Sequence, residues 1–302
     1  MTREIVRPRR SVLYMPGANA RAIEKARTLD ADAFVFDLED AVSPESKAVA
    51  RATVAAALAA GGFRGRELAV RINGAGTPWH ADDIAMAARC GADAVVVPKV
   101  ETAEGVRAVE AALVGAGAPS GLALWAMIET PRAVLRADGI AGASPRLSGL
   151  VMGTSDLTQE LRAAHTPDRA PLLTSLGLAL LAARAHGIAA LDGVHLDLAD
   201  DAGFAAVCRQ AAAMGFDGKT LIHPRTIAAA NQAFSPSPER IDWARRVMAV
   251  HAAARAEGKG VVLLDGRLIE NLHVVEAERL IALSTAISRW SDASSHDDVN
   301  PA

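Results

Sequence analysis

Short runs of apolar and β-branched residues recur along the chain, at positions 12–15, 33–36, 68–71, 94–97, 122–128, 150–152, 188–191 and 219–222. Between them lie alanine-rich segments with helical spacing of their apolar positions. A continuous apolar run of this length reads as a strand buried on both faces. Eight strand–helix alternations before residue 234 predict a parallel sheet, and eight units favour a closed (β/α)8 TIM barrel, an α/β fold, over an open sheet. Thr77-Pro78 reads as a cap followed by proline at the first helical position, ahead of a helix over 81–90 that Gly91 closes. From Ser235 the pattern changes. Pro236 and Pro238 precede a long amphipathic helix over about 239–257, then an apolar run at 260–264, a turn at Asp265-Gly266, and a second helix carrying Val274, Val275, Ala277, Leu280 and Ile281. Residues 1–234 are thus expected to form the barrel, 235–290 a C-terminal helical extension, and the Ser/Asp-rich 291–302 a disordered tail.

At 302 residues, 51% hydrophobic and 22% charged, the chain can bury a large core. Only 4% of residues are aromatic, so that core must be built from Ala, Val, Leu and Ile. A net charge of -3 offers no basic field for nucleic acid. The basic first ten residues lack the apolar segment of a secretory signal, and no run is long enough to span a bilayer, so a cytoplasmic protein without a membrane partner is expected. Cys90 and Cys208 lie in alanine-rich segments, which suits buried free thiols better than a disulfide or a zinc site.

A barrel places its chemistry where strand carboxyl ends meet the following loops. The second run ends in Asp37, Glu39 and Asp40, three carboxylates that repel one another unless a cation or hydrogen bonds compensate. Glu129 and Asp156 follow the fifth and sixth strands, whose ends lie about 5 Å apart. The pair either holds one hard cation, for which Mg2+ fits an oxygen-only and partly open site, or caps the next helices. Arg71, ending the third strand, is either a clamp for a substrate carboxylate or the partner of Asp37 or Glu39. Gly153, Thr154 and Ser155 either offer N–H groups to substrate or form a plain turn. Asp37, Glu39 and Asp40 are expected one layer out, orienting metal-bound water or holding Arg71 and Lys99, with Lys99 in that same layer. Asp192 and His195 after the seventh strand and His223 after the eighth also fall at these strand ends, and the two histidines read as hydrogen-bonded residues of the barrel mouth rather than catalytic bases. No Walker loop, dinucleotide fingerprint, zinc spacing or Ser/His/Asp arrangement stands out.

In order along the chain, Arg10-Ser-Val-Leu-Tyr-Met-Pro-Gly17, Phe36-Asp-Leu-Glu-Asp-Ala-Val42, Val70-Arg-Ile-Asn73, Pro98-Lys99, Ile128-Glu-Thr130, Gly153-Thr-Ser-Asp-Leu157 and Ile222-His-Pro224 resemble the citrate lyase β-subunit-like group. That group lies within the HpcH/HpaI aldolase superfamily and includes malyl-CoA and citramalyl-CoA lyases. The resemblance implies a Mg2+-dependent carbon-carbon lyase that joins or separates an acyl-CoA and a 2-oxo acid, glyoxylate or pyruvate. It carries the metal onto Glu129 and Asp156 and the substrate carboxylate onto Arg71. It also implies a homo-oligomer, trimer or hexamer, in which the C-terminal segment covers a neighbour's site. Malyl-CoA lyase-like members end that segment in Gly-x-Met-Ile-Asp, with a catalytic aspartate. Here it reads Gly266-Arg-Leu-Ile-Glu270, making Glu270 the candidate acid/base, or else a cap for the following helix. The loop after Asp40 lacks the histidine of the phenolic aldolase branch, which favours CoA esters. Arg21 and Lys25 either contact CoA phosphates or form a solvated helix face. The expected reaction is reversible Claisen-type cleavage of a malyl-CoA or citramalyl-CoA substrate. The alternatives are a malyl-CoA thioesterase, a citrate lyase β subunit acting on an acyl-carrier-bound citryl group, and a non-catalytic binder.

Overall fold

Eight parallel strands close on themselves in the computed structural model, which describes residues 7–256 and 262–296. They are β1 (Ser11–Pro16), β2 (Ala33–Asp37), β3 (Glu67–Arg71), β4 (Ala94–Val97), β5 (Ala123–Ile128), β6 (Leu147–Met152), β7 (Ala189–Asp192) and β8 (Gly218–Leu221). Ser11, Val12 and Leu13 pair with Lys219, Thr220 and Leu221, and this contact between β1 and β8 turns a sheet into a barrel. Each predicted apolar run falls on one of these strands. The expected α/β barrel is the observed fold.

Alternate residues along a strand face opposite sides of the sheet. One set, including Val12, Val35, Ala69, Val96, Trp125, Met127, Val151 and Leu191, fills the lumen. The other, including Leu13, Phe34, Phe36, Val70, Val95, Ile128 and Leu221, packs beneath the surrounding helices. Trp125 is the largest fully buried side chain, and its neighbour across the β5–β6 register is Gly149, where a Cβ would approach the indole to 3.4 Å. Beneath it, Arg9 lies over the Trp125 ring at 5.2 Å and pairs with Glu67 at 2.6 Å, while Arg10 pairs with Asp32 at 2.8 Å. Ion pairs therefore close the amino end of the lumen, and open chemistry is left to the carboxyl end.

Thr77 does not cap a helix. Its hydroxyl donates to the Gly74 carbonyl at 2.8 Å and its N–H to the same oxygen at 3.0 Å, so Thr77 closes a turn. The helix begins later, at His80–Ala87, with Asp82 and Asp83 supplying negative charge to its first turn. Gly91 (φ +80°) does not close this helix either, which ends at Ala87 with Ala88 as its C-cap.

The residues from Ser235 onward belong to a second compact unit. It contains helix Pro238–Ala256, an antiparallel hairpin of β9 (Val262–Leu264) and β10 (Arg267–Ile269), and helix Asn271–His296. The hairpin turns on Asp265 (φ +49°) and Gly266 (φ +75°), the pairing expected of a two-residue Asp-Gly loop. Ala244, Val247, Ile269, Val274, Ala277 and Leu280 form its buried core. The last helix runs to His296, so the boundary drawn at Ser291 falls inside an element. Adding a turn to an existing helix costs far less than starting one, and Ser/Asp content alone does not stop it. The remainder of that expected tail, 297–302, lies outside the described residues. No helix among the described residues is long and apolar enough to cross a membrane.

Candidate active site

Asp37 and Arg71 are register partners at the carboxyl ends of β2 and β3. Arg71 donates to both Asp37 oxygens, from Nε at 2.7 Å and Nη2 at 2.6 Å. The Asp37 oxygens also accept the N–H groups of Glu39 at 2.9 Å and Ala41 at 3.0 Å. The third guanidinium nitrogen, Nη1, faces Glu39 at 2.9 Å and the exposed Asp40 at 3.3 Å. Below the guanidinium lies the Tyr14 ring, 4.9 Å away, and its hydroxyl reaches across the lumen to within 3.8 Å of Met127 Sδ. The expected ion pairing of Arg71 with the acidic loop is therefore visible. The loop holds Arg71 but makes no ion pair with Lys99 among the described residues.

One guanidinium serves three carboxylates here. Burial pushes the Glu39 carboxyl up to about 8; Arg71 partly offsets this, and Asp40, Glu129 and Asp37 add to it. In the unfolded chain the same group titrates near its ordinary value of 4.5. The folded state therefore holds this proton more tightly, and its contribution to stability is full below the unfolded value and lost as pH rises through about 8. Glu39→Gln, neutral at every pH, should melt close to wild type at about pH 5 and several degrees above it at about pH 9. Calorimetric scans at both values check this. A pH-independent difference would show that Glu39 is not protonated in the native state.

Glu129 follows β5 and is 3% exposed. Its Oε1 accepts the Lys99 backbone N–H at 2.6 Å, and Lys99 adopts φ +51° there. The Lys99 ammonium stands 4.0 Å from the same oxygen and hydrogen-bonds to Asp156 Oδ2. Asp156 comes from the first turn of helix Thr154–Glu160, which follows β6. Lys99 thus lies between the two carboxylates, rather than one layer behind them. Burial pushes the Glu129 carboxyl up, against the pull of Lys99 and Arg71. Gly153 leaves the space this side chain occupies: a Cβ would lie 2.3 Å from Glu129 Cβ and 2.5 Å from Oε2.

Of the three N–H groups expected as donors, only that of Gly153 is committed elsewhere among the described residues. The Gly153 N–H continues the sheet ladder, donating to Ile128 O at 3.0 Å, and the buried Thr154 hydroxyl turns to Val194 O at 3.5 Å. Gly153 therefore contributes room and not a donor, because the ladder extends one residue past the strand. What remains are the N–H groups of the helix's first turn, which have no intrahelical partner.

These residues fit a divalent cation. Glu129 and Asp156 converge on one ammonium, and even with Glu39 protonated the carboxylates of Asp37, Asp40, Glu129 and Asp156 outnumber Arg71 and Lys99, leaving excess negative charge in a half-buried setting. Among the described residues no group of three or more His, Cys, Asp or Glu forms a metal cage. Glu129 and Asp156 would thus supply two oxygen donors and leave the other positions to substrate and water, as Mg2+ favours.

Asp192, His195 and His223 do not join this cluster. Leu191 faces the lumen, so Asp192 faces the helices, where it is fully buried against Arg169 Nη1 and Lys219 Nζ, each at 2.8 Å. Burial lowers the His195 pKa and its Nε2 has no hydrogen-bond partner among the described residues. His223 Nδ1 accepts the Arg225 N–H at 3.2 Å and caps the short turn Pro224–Thr226. Two residues of the site were absent from the expectation: Tyr14, marked only as the one polar-tipped residue of an apolar strand, and Lys47, whose ammonium sits against the carbonyls of the acidic loop. In the second unit, the Glu270 backbone N–H donates to His273 Nδ1 at 3.0 Å and its carbonyl accepts the His273 N–H at 3.0 Å. Its exposed carboxylate makes no hydrogen bond among the described residues, so it is not committed to capping.

The HpcH/HpaI aldolase/citrate lyase family pattern matches residues 10–224. Over 283 residues, 94% of this chain and 97% of the relative, the chain is 48% identical to a (3S)-malyl-CoA thioesterase of Cereibacter sphaeroides. It is 37% identical to citrate lyase subunit beta of Escherichia coli over 287 residues, 93% of this chain and 95% of that one. Among solved structures, the protein CitE of Mycobacterium tuberculosis, in complex with magnesium, acetoacetate and coenzyme A, matches with a TM-score of 0.71 and 31% identity, covering 92% of this chain and 98% of that chain.

Proposed function

The chain belongs to the HpcH/HpaI aldolase/citrate lyase family, and from that premise we propose that it is a hydrolase of malyl-type CoA thioesters. The substrate class is carried by the convergence of Glu129 and Asp156 on one cation position, with Arg71 at the same barrel mouth. The choice of hydrolysis is supported by the 48% identity to a (3S)-malyl-CoA thioesterase over nearly the whole chain. Carbon-carbon cleavage is the second reading, favoured by the 37% identity to a citrate lyase β subunit. Both reactions need the same grip on the hydroxy-acid end and differ in which bond breaks.

Mg2+, held by Glu129 and Asp156, would supply positive charge for the 2-hydroxyl and carboxylate oxygens of the substrate. Arg71 binds that carboxylate through Nη1, the nitrogen least committed to Asp37, and a protonated Glu39 gives up this position at lower cost than an ionised one. Lys99 gives its backbone N–H to Glu129 and so fixes that carboxylate. First-turn N–H groups of the helix after β6 would receive the thioester oxygen. In hydrolysis, Glu270 of a second copy accepts a proton as water adds to the thioester carbonyl, the C–S bond breaks as the tetrahedral adduct collapses, and Glu270 returns that proton to the departing CoA sulfur. In cleavage the same carboxylic acid protonates the carbon of the thioester enolate. Residues 235–290 of each subunit would cover a neighbour's mouth, in a trimer or hexamer.

Incubation of (3S)-malyl-CoA with the protein and Mg2+, with analysis of the products, separates the readings. Malate and free CoA in equal amounts are expected. Glyoxylate with acetyl-CoA would establish the lyase reading, and no turnover of malyl-CoA or citramalyl-CoA would overturn both.

A further inference from the structure

We propose that Lys47 is a positioning residue for the Arg71 clamp, acting through the peptide that joins Leu38 to Glu39. Lys47 opens helix Lys47–Ala60, the end at which the helix dipole disfavours a cation. It is also 5% exposed, and burial draws its pKa down. An ammonium set against both effects must be held by specific contacts. All three of its N–H donors are used, each at 2.7 Å, on Leu38 O, Glu39 O and Asn73 Oδ1, and the Trp79 ring lies 4.9 Å away.

In a trans peptide the C=O and the next N–H point in opposite directions. Leu38 C=O points to Lys47, and the Glu39 N–H of the same peptide points to Asp37 Oδ1 at 2.9 Å. Rotating that peptide breaks both bonds together. Asp37 in turn fixes Arg71 through Nε and Nη2. Asn73 completes the frame, donating to Leu38 O at 2.8 Å and to Asp83 Oδ2 at 2.6 Å. The Lys47 charge thus sets the direction of one N–H, that N–H sets a carboxylate, and the carboxylate sets the guanidinium.

This inference rests on Arg71 gripping the substrate carboxylate, and the test keeps the two apart. Steady-state kinetics with malyl-CoA are measured for wild type, Lys47→Met, Arg71→Met and the double variant, with hydrogen–deuterium exchange over residues 37–41. Lys47→Met should raise KM about 10-fold with kcat within about 3-fold, and should speed exchange in that loop. In the Arg71→Met background the same change should add less than about 2-fold, since both substitutions act on one path. A raised KM in Arg71→Met but not in Lys47→Met, or equal penalties in both backgrounds, would overturn the positioning role alone. A wild-type KM in Arg71→Met would overturn the clamp and this inference with it. Should Lys47→Met fail to fold, Lys47→Gln, which keeps a donor, enters the same comparison.

Discussion

Glu129→Gln is expected to lower kcat/KM for malyl-CoA by about 1000-fold and to abolish its response to Mg2+, with the barrel intact. Glutamine keeps the size of the side chain, the space left by Gly153, and an oxygen to accept the Lys99 N–H. What it removes is one negative charge. Because burial opposes ionisation of Glu129 and the Lys99 N–H, Lys99 and Arg71 offset it only in part, the charge is held at a net cost that a bound divalent cation would remove. The stability signature therefore has the opposite sign to the activity. Without Mg2+ the variant should melt at or above the wild-type temperature. With Mg2+ the wild type should rise by the binding linkage while the variant stays unmoved. Thermal scans with and without Mg2+, beside the kinetics, check both halves. A wild-type protein indifferent to Mg2+, or a Gln variant with Mg2+-dependent turnover, would sink the assignment of this carboxylate to the metal.

What the sequence made legible was whatever depends on period. Runs buried on both faces announce strands without reference to neighbours, so all eight barrel strands could be placed, and with them the carboxyl ends where Arg71, Glu129 and Asp156 gather. What it hid depends on the parity of single residues near element ends. Asp192 comes directly after β7's lumen-facing Leu191, and that one-residue step puts it among the helices with Lys219 instead of at the mouth. The same ambiguity hid the use of Gly153's N–H, since the ladder outlasts the strand by one residue. Lys47 was hidden for another reason. A lysine in an alanine-rich helix reads as a solvated charge, and only the fold of the preceding loop, two carbonyls turned toward one ammonium, shows that it is buried. Thr77 shows how local rules mislead: a hydroxyl before proline satisfies the capping pattern, yet a turn three residues back offered the nearer acceptor.

The second large effect concerns Glu270. Glu270→Gln should slow turnover of malyl-CoA by about 100-fold, the scale of acid/base catalysis, and leave KM near wild type, because the hydroxy-acid end is gripped by residues of the barrel. The melting temperature should not move, since the carboxylate is exposed and makes no hydrogen bond among the described residues. Wild-type turnover would return Glu270 to its place at the start of helix Asn271–His296 with no chemical role. Complementation then locates its action. Glu129→Gln and Glu270→Gln proteins are each nearly inactive alone. If Glu270 serves a neighbour's barrel, dissociating and reassembling an equal mixture creates sites with an intact Glu129 from one subunit and an intact Glu270 from the next, at about a quarter of all sites. If Glu270 acted within its own chain, every subunit would carry one defect and mixing would restore nothing. Recovery of about a quarter of wild-type activity would thus establish both the role of the carboxylate and its delivery between subunits.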